Sequence, residues 1–284
     1  MEFQIDQACL EAIFEVPDIE GQFPPALRAY LRELGGRRPC VLLAFPPKSA
    51  GTFLRQAVIV ATGGDLIRIV HAQGGRDAQP YLPTFIAYFL GGITRGPMIA
   101  HAHMQALPAN IHFIEAFGLR PCIMLRSIPD MLASYWDMLD REPEARLQGL
   151  NCAIPAGWPD LADARKADFL VDILGPWYAS YYATWLDYAR RAKNRTCLLG
   201  YADLLADPAA ALEKLLCHAG LRMAPTDCQD IIGAIWPDRS SLRFNQGRQG
   251  RAAGYFGADH RSRLERMLSH YPAAQARAGE LLGY

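Results

Sequence analysis

The chain lacks a surplus of either charge: its 29 Lys and Arg balance its 29 Asp and Glu, so the formal net charge is zero. A protein that coats nucleic acid or an anionic membrane carries a large positive excess, and the balance excludes both roles. An anionic ligand must instead be met by a local cluster of positive charge. Long apolar runs are also missing. No stretch approaches the roughly 18–20 apolar residues of a membrane span. The longest patches, 40–45 and 85–90, have the length of a core strand or core helix. The opening segment MEFQIDQACLEAIFEV carries acids where a secretion signal carries basic residues. Cysteines are few and scattered: seven, at 9, 40, 122, 152, 197, 217 and 228, with no C-x-x-C pair. An odd, dispersed set speaks against a disulfide framework and a structural zinc site. Reduced thiols in a cytoplasmic protein are the expectation.

What is present is an ordinary globular balance, 51% hydrophobic and 20% charged, over 284 residues. That length can bury a sizeable core without metal or disulfide staples, and 1–284 reads as one domain. There is no internal repeat, low-complexity tract or Gly/Ser linker. Residues 6–15 and 25–35 read as short helices, the second ending at Gly35-Gly36. PCVLLAF (39–45) is apolar on both faces, which predicts a buried parallel strand. A helical pattern at 53–62 closes at Gly63-Gly64. Further strands are expected at 66–70, 98–100, 122–125 and 196–199, and all but the first of these lead into a polar loop and a helix. Strands alternating with helices predict an α/β fold, a central parallel sheet flanked by helices. Residues 143–168, rich in Pro, Gly, Ala and charge, read as a mobile loop or lid. The strongly aromatic segment 169–192 reads as a helix whose stripe packs in the core. Asp207-Pro208 opens another helix, ending at Gly220.

Three segments carry chemistry. PPKSAGTFL follows the first strand. A loop there, entering a helix, aims backbone N–H groups and the positive end of the helix dipole at one point, so anions bind. Ser49, Ala50 and Gly51 allow close approach, Lys48 adds a full charge and Thr52 a hydroxyl. The Walker A order G-x-x-x-x-G-K-[ST] is absent, because the lysine precedes the small residues. In CIMLRSIPDMLASYW (122–136), Arg126 stands at a strand tip and Ser134 eight residues on, two turns into the next helix. A guanidinium fork and a hydroxyl so placed can grip one phosphate. In RFNQGRQGRAAGYF (243–256), the glycines 247, 250 and 254 keep a loop open, and 239–251 holds four arginines and no acid.

In this order the segments resemble the sulfotransferases that use 3′-phosphoadenosine 5′-phosphosulfate (PAPS). PKSAGTF (47–53) is similar to that family's phosphosulfate loop, PKSGTTW. Arg126, Ser134 and Tyr135 match its 3′-phosphate motif. NQGRQGRAAGYF (245–256) is similar to its C-terminal RKGxxGDWxxxF, and YADLLADP (201–208) to YEDLxxDP near the adenine. The resemblance spans 39–256, with helical extensions at both ends. Phe53 stands where the family has the tryptophan that stacks on adenine, and Asn245-Gln246 where it has Arg-Lys, so Arg243 or Arg248 is left to supply that charge.

The resemblance implies a P-loop-like sheet with the nucleotide along its C-terminal edge. Lys48, Ser49, Ala50, Gly51 and Thr52 would hold the 5′-phosphosulfate, and Arg126 and Ser134 the 3′-phosphate. Phe53 and Tyr201 would flank adenine, and Asn245, Gln246, Gly247 and Arg248 would close over the nucleotide. Between the first two motifs lies MIAHAHMQALP (98–108). The family carries Lys-x-His there, with the histidine as base about 22 residues before the arginine. His103 lies 23 before Arg126 and His101 lies 25 before it. His103 thus fits the base and His101 falls at the lysine position. In an extended loop the two share a face, and an imidazole suits proton removal at neutral pH. Two histidines could begin a metal site, but no third ligand is near and the resemblance implies no metal. The acceptor would be a small-molecule, lipid or glycan hydroxyl or amine. Segments 71–97 and 143–168 would shape its pocket, with Tyr81, Phe85, Tyr88, Phe89, Trp136 and Trp158 as an apolar wall. Two alternatives remain: a P-loop-type nucleotide kinase, and a non-catalytic nucleotide-binding protein of the same fold.

Overall fold

The computed structural model describes residues 39–71, 79–90, 94, 96–142, 152–238 and 249–283. The helices expected at 6–15 and 25–35, and residues 239–248, lie outside the described residues. Five strands form one sheet: β1 (Cys40–Leu43), β2 (Asp65–Ile67), β3 (Met98–His101), β4 (Arg120–Leu125) and β5 (Cys197–Gly200). Their order is β2-β3-β1-β4-β5, and every pairing is parallel. β2 is shorter than the sequence suggests: Ile67 ends it, and Val70 makes only an isolated antiparallel bridge to Pro80.

Strand residues alternate between two buried layers, as the pleat requires. Leu42, Ala44, Ile123 and Leu125 face one core, shared with α2 (Leu82–Leu90), α3 (Pro108–Ala116) and α4 (Ile128–Arg141). Val41, Leu43, Ile99, Cys122 and Met124 face the other. It is shared with α1 (Gly51–Thr62), whose C-cap Gly63 adopts φ 60°, and with helices that follow β5. Those are α7 (Tyr201–Ala206), α8 (Pro208–His218) and α9 (Pro225–Ile235). Burial on both faces explains why β1 and β4 read as continuous apolar runs.

Between β4 and β5 runs a long helical stretch. α5 (Asp163–Phe169) passes through a π-helical turn, Leu170–Leu174, into α6 (Gly175–Arg191). Pro176 offers no N–H to the turn before it, and the wider turn absorbs that defect. α10 (Ala258–Ser269), α11 (Pro272–Gln275) and α12 (Ala278–Leu282) close the chain. A Cβ on Gly175 would stand 3.0 Å from Leu264 on α10, so the glycine allows that close approach. The aromatic stripe of α6 is core: Tyr178, Tyr181, Tyr182 and Trp185 are fully buried.

The lid expected at 143–168 is not borne out where it is described. Trp158 is fully buried, edge-to-face on Trp136 and Phe169. Asp140 of α4 accepts hydrogen bonds from the Trp136 indole (2.8 Å), the Trp158 indole (2.8 Å) and the buried Lys166 ammonium (3.1 Å). Burial alone would push the Asp140 carboxyl up, but the Trp158, Lys166 and Trp136 donors outweigh it and hold it below its usual range. The cluster nails 152–168 to α4. The six described cysteines are free thiols. No helix among the described residues is long and apolar enough to cross a membrane.

Candidate active site

The chain leaves β1 toward one face of the sheet, through α1. It leaves β3 and β4, the two neighbours of β1, toward the other face. Diverging connections open a crevice at the C-terminal ends of these strands, where ligands of open α/β sheets bind. The loops after β1, β3 and β4 meet there.

The loop after β1 is held in an unusual backbone. Lys48 and Ala50 both adopt left-handed conformations, φ 62° and 66°. The buried Ser49 hydroxyl donates to the Pro46 carbonyl at 2.6 Å. α1 starts at Gly51, and its first turn carries no acid. The leading N–H groups of a helix have no partner within it, so those of Gly51 and Thr52 stand with the positive end of the dipole at the C-terminal edge of the sheet. A Cβ on Gly51 would lie 2.6 Å from Cε1 and Nε2 of His101, so only glycine leaves room for that ring.

His101 ends β3, level with Leu43, and is buried. His103 is half-buried in the following loop, with ring centroids 5.5 Å apart. The expected shared placement of the two rings is present. Among the described residues, no group of three or more His, Cys, Asp or Glu could hold a metal ion.

Arg126 is the hub. It is 7% exposed. Its Nη1 donates to the Lys48 carbonyl, which ties the first loop to the second. Its guanidinium carbon lies 4.0 Å above the centre of the Tyr201 ring, at the end of β5. Its Nε has no hydrogen-bond partner, and no carboxylate among the described residues pairs with it. Buried cations in folded proteins are normally paired. This one stands ready for an anion.

The third segment reaches the same place through α4. Asp130, Ser134 and Asp137 are spaced i, i+4, i+7, which puts them on one helical face. The buried Asp130 carboxylate accepts the N–H groups of Gly250 (2.9 Å) and Ala252 (3.0 Å). Asp137 accepts the Tyr255 hydroxyl at 2.5 Å and pairs with Arg251. The end of the glycine-rich segment therefore lies along the face that carries the buried Ser134.

Several sequence expectations need correction. Phe53 is fully buried, edge-to-face against the half-buried Trp236 at 5.5 Å, so its ring offers no open surface for a base. Arg251, counted in the acid-free arginine stretch, is neutralised by Asp137, a residue far away in sequence. Phe85 and Phe89 pack with Phe113 and Phe117 in the core, and Trp136 and Trp158 serve the Asp140 cluster. None of these four lines an open wall. Tyr81 is exposed and Tyr88 half-buried. Tyr201 lies under Arg126, and Asn245, Gln246, Gly247 and Arg248 lie outside the described residues.

The polar tips of the α6 aromatics gave no signal in the sequence beyond their spacing. Tyr181 donates to the Ala44 carbonyl, just after β1, and Tyr178 to the Pro47 carbonyl in the following loop (3.2 Å). Tyr182 accepts the Arg126 N–H at 3.0 Å. Burial pushes both the Tyr181 and Tyr182 phenols well up, so they stay protonated.

No protein-family model and no curated protein sequence matches the chain. Solved structures do. The crystal structure of mouse sulfotransferase SULT7A1 complexed with PAP superposes with a TM-score of 0.62 at 12% identity, over 91% of this chain and 95% of that one. Retinol dehydratase in complex with androsterone and inactive cofactor PAP matches 62% of this chain and 52% of its own length at 11% identity. Its TM-score, 0.39, is too low to bear on the fold. The near-complete overlap with the first, together with the five-stranded parallel sheet, shows that the chain has the sulfotransferase fold.

Proposed function

We propose that the chain is a sulfotransferase that moves a sulfuryl group from PAPS to a hydroxyl or amine of a small-molecule, lipid or glycan acceptor. The observation that carries this reading is Arg126, a buried guanidinium with no carboxylate partner among the described residues, clipped to the Lys48 loop. It supplies the local positive charge that a chain of zero net charge needs for an anionic nucleotide. The fold supports the same reading, since the matched mouse sulfotransferase was captured with PAP.

In this proposal the N–H groups of Gly51 and Thr52 at the start of α1 and the Ser49–Thr52 backbone hold the 5′-phosphate. Arg126 and Ser134 hold the 3′-phosphate, and Tyr201 backs the guanidinium. His103 takes the proton from the acceptor oxygen, which then attacks sulfur in line with the bridging oxygen. Lys48 neutralises charge that gathers on that oxygen as the S–O bond breaks. Adenosine 3′,5′-bisphosphate leaves. Because the charges stand in place beforehand, little reorganisation is needed in the transition state. His101, wedged against Gly51, links the base loop to the anion loop.

Calorimetry with adenosine 3′,5′-bisphosphate and with ADP tests the nucleotide half. The bisphosphate is expected to bind more tightly. A preference for ADP would favour a kinase, and binding of neither would sink the reading. For the base, His103→Ala is expected to lower turnover with labelled PAPS by about 10²–10⁴-fold while bisphosphate affinity holds. Joint loss of affinity and turnover would make His103 structural.

A further inference from the structure

Helix α6 reaches the chain after β1, the end of β4 and the loop after β3. Tyr178, Tyr181, Tyr182 and Trp185 follow i, i+3, i+4, i+7 spacing and so share one face. Tyr181 and Tyr178 hold the carbonyls of Ala44 and Pro47, on either side of the bend into the Lys48 loop. Tyr182 accepts the backbone N–H of Arg126, and its hydroxyl lies 3.2 Å from the Met124 carbonyl. The Trp185 indole donates to the Met104 carbonyl at 2.8 Å, next to His103. Thr184 accepts the Ala106 N–H at 3.2 Å, and the Ser180 hydroxyl donates to the Gln105 side chain at 3.1 Å. From the opposite side, Asn110 donates to the Gln105 carbonyl at 2.8 Å.

Backbone groups beyond the last ladder bond of a strand still require partners when buried. Phenylalanine and leucine would fill the same volume but could satisfy none of them. The polar atoms at the tips of these rings are therefore surplus to packing and specific to the loops. They also divide cleanly: one set holds the β1 and β4 ends, which carry the anion-binding groups, and another holds the His103 loop.

We infer that α6 is the positioning element of the site, with separate side chains governing separate steps. Tyr182 fixes Arg126 and so governs nucleotide binding. Thr184 and Trp185 fix the loop of His103 and so govern proton removal. This inference rests on the sulfotransferase reading and deepens it. Neither group touches the reacting atoms, and both act through the residues they hold.

Tyr182→Phe, Thr184→Val and Trp185→Phe test it, the valine being isosteric with threonine and the gentlest probe of the base loop. Tyr182→Phe leaves the Arg126 N–H without its partner. It is expected to weaken bisphosphate binding roughly three- to tenfold with kcat at saturation unchanged. Thr184→Val and Trp185→Phe are expected to lower kcat by roughly the same factor with bisphosphate affinity unchanged. Amide exchange should quicken at 102–106 in the latter two variants and stay at the wild-type rate there in Tyr182→Phe. A variant that moves kcat and affinity together, or leaves exchange at 102–106 untouched in Thr184→Val, overturns the inference. If the wild-type chain binds no bisphosphate, the sulfotransferase reading fails on its own. The exchange pattern then still decides the positioning claim: local quickening upholds it and a uniform change overturns it.

Discussion

At Ala50 the backbone stands at φ 66°, a region glycine enters freely and other residues enter at a cost of about 1–2 kcal/mol. The motif that this loop resembles has glycine at the same place, so here the sequence departs from the pattern while the conformation does not. Ala50→Gly should therefore relieve strain, partly offset by added freedom in the unfolded chain. We expect a net gain of about 0.5–1 kcal/mol in urea unfolding, with an unchanged m value. A loss of stability would show that the left-handed turn is not strained. Other single residues were legible for a local reason. Arg126 directly follows the apolar strand β4 and Lys48 lies in the short loop after β1, and those positions place both at the C-terminal edge of the sheet. Phe53 was not legible, because its burial depends on Trp236, brought in by a helix from the far end of the chain. Arg251 was misjudged likewise: an arginine in an acid-free stretch looks free until Asp137 arrives from α4.

Among the elements, α4 brings the third segment to the site, since its one face anchors the glycine-rich segment and carries Ser134. Burial alone would push the Asp137 carboxyl up, yet the Tyr255 hydroxyl and the Arg251 guanidinium overcome this and hold it below the usual carboxylate range. A carboxyl whose pKa falls on folding adds stability above its unfolded value of about 3.9, and that contribution fades as pH falls through the folded value. Asp137→Asn should thus be less stable than wild type at pH 7, with the gap closing toward about pH 2. Urea midpoints across that range measure it, and a gap that persists in acid would assign the anchor to shape instead of charge. The strand and helix alternation was readable because apolar runs and glycine stops are local signals. The anchored state of 152–168 was not, because Asp140, Trp158 and Lys166 converge from separate stretches. A composition of Pro, Gly and Ala describes the backbone between those anchors and says nothing of them.

At the scale of the whole molecule, the sheet separates chemistry from a titrating weak point. His218 ends α8, and Arg120 opens β4 at the edge opposite the crevice. Burial first, and the Arg120 charge second, push the His218 imidazole down to about 4. The unfolded chain takes up that proton near 6.5, so stability stands in full above about pH 6.5 and falls as pH drops toward 4. His218→Gln should flatten this decline in urea midpoints measured from pH 7.5 to 4.5. An unchanged slope would remove His218 as its source. The parallel α/β class was legible from the period of the pattern. The strand order was not, since periodicity carries no information about which strands become neighbours. That order has a consequence for how the chain is made. The contacts that join the site link residues far apart: 78 positions from Lys48 to Arg126, 137 from Ala44 to Tyr181 and 122 from Asp130 to Ala252. Synthesis at about 5–20 residues per second separates the emergence of Lys48 from that of Ala252 by about 10–40 s. Arg126, the clasp of the Lys48 loop, emerges 78 residues after Lys48, and the segment that Asp130 anchors follows only at the end of that interval. Closure of so many long loops also slows folding. The crevice is therefore completed late in synthesis, with only α10–α12 still to come, and a chain truncated before Gly250 should carry the Lys48–Arg126 clasp but lack the segment that Asp130 anchors.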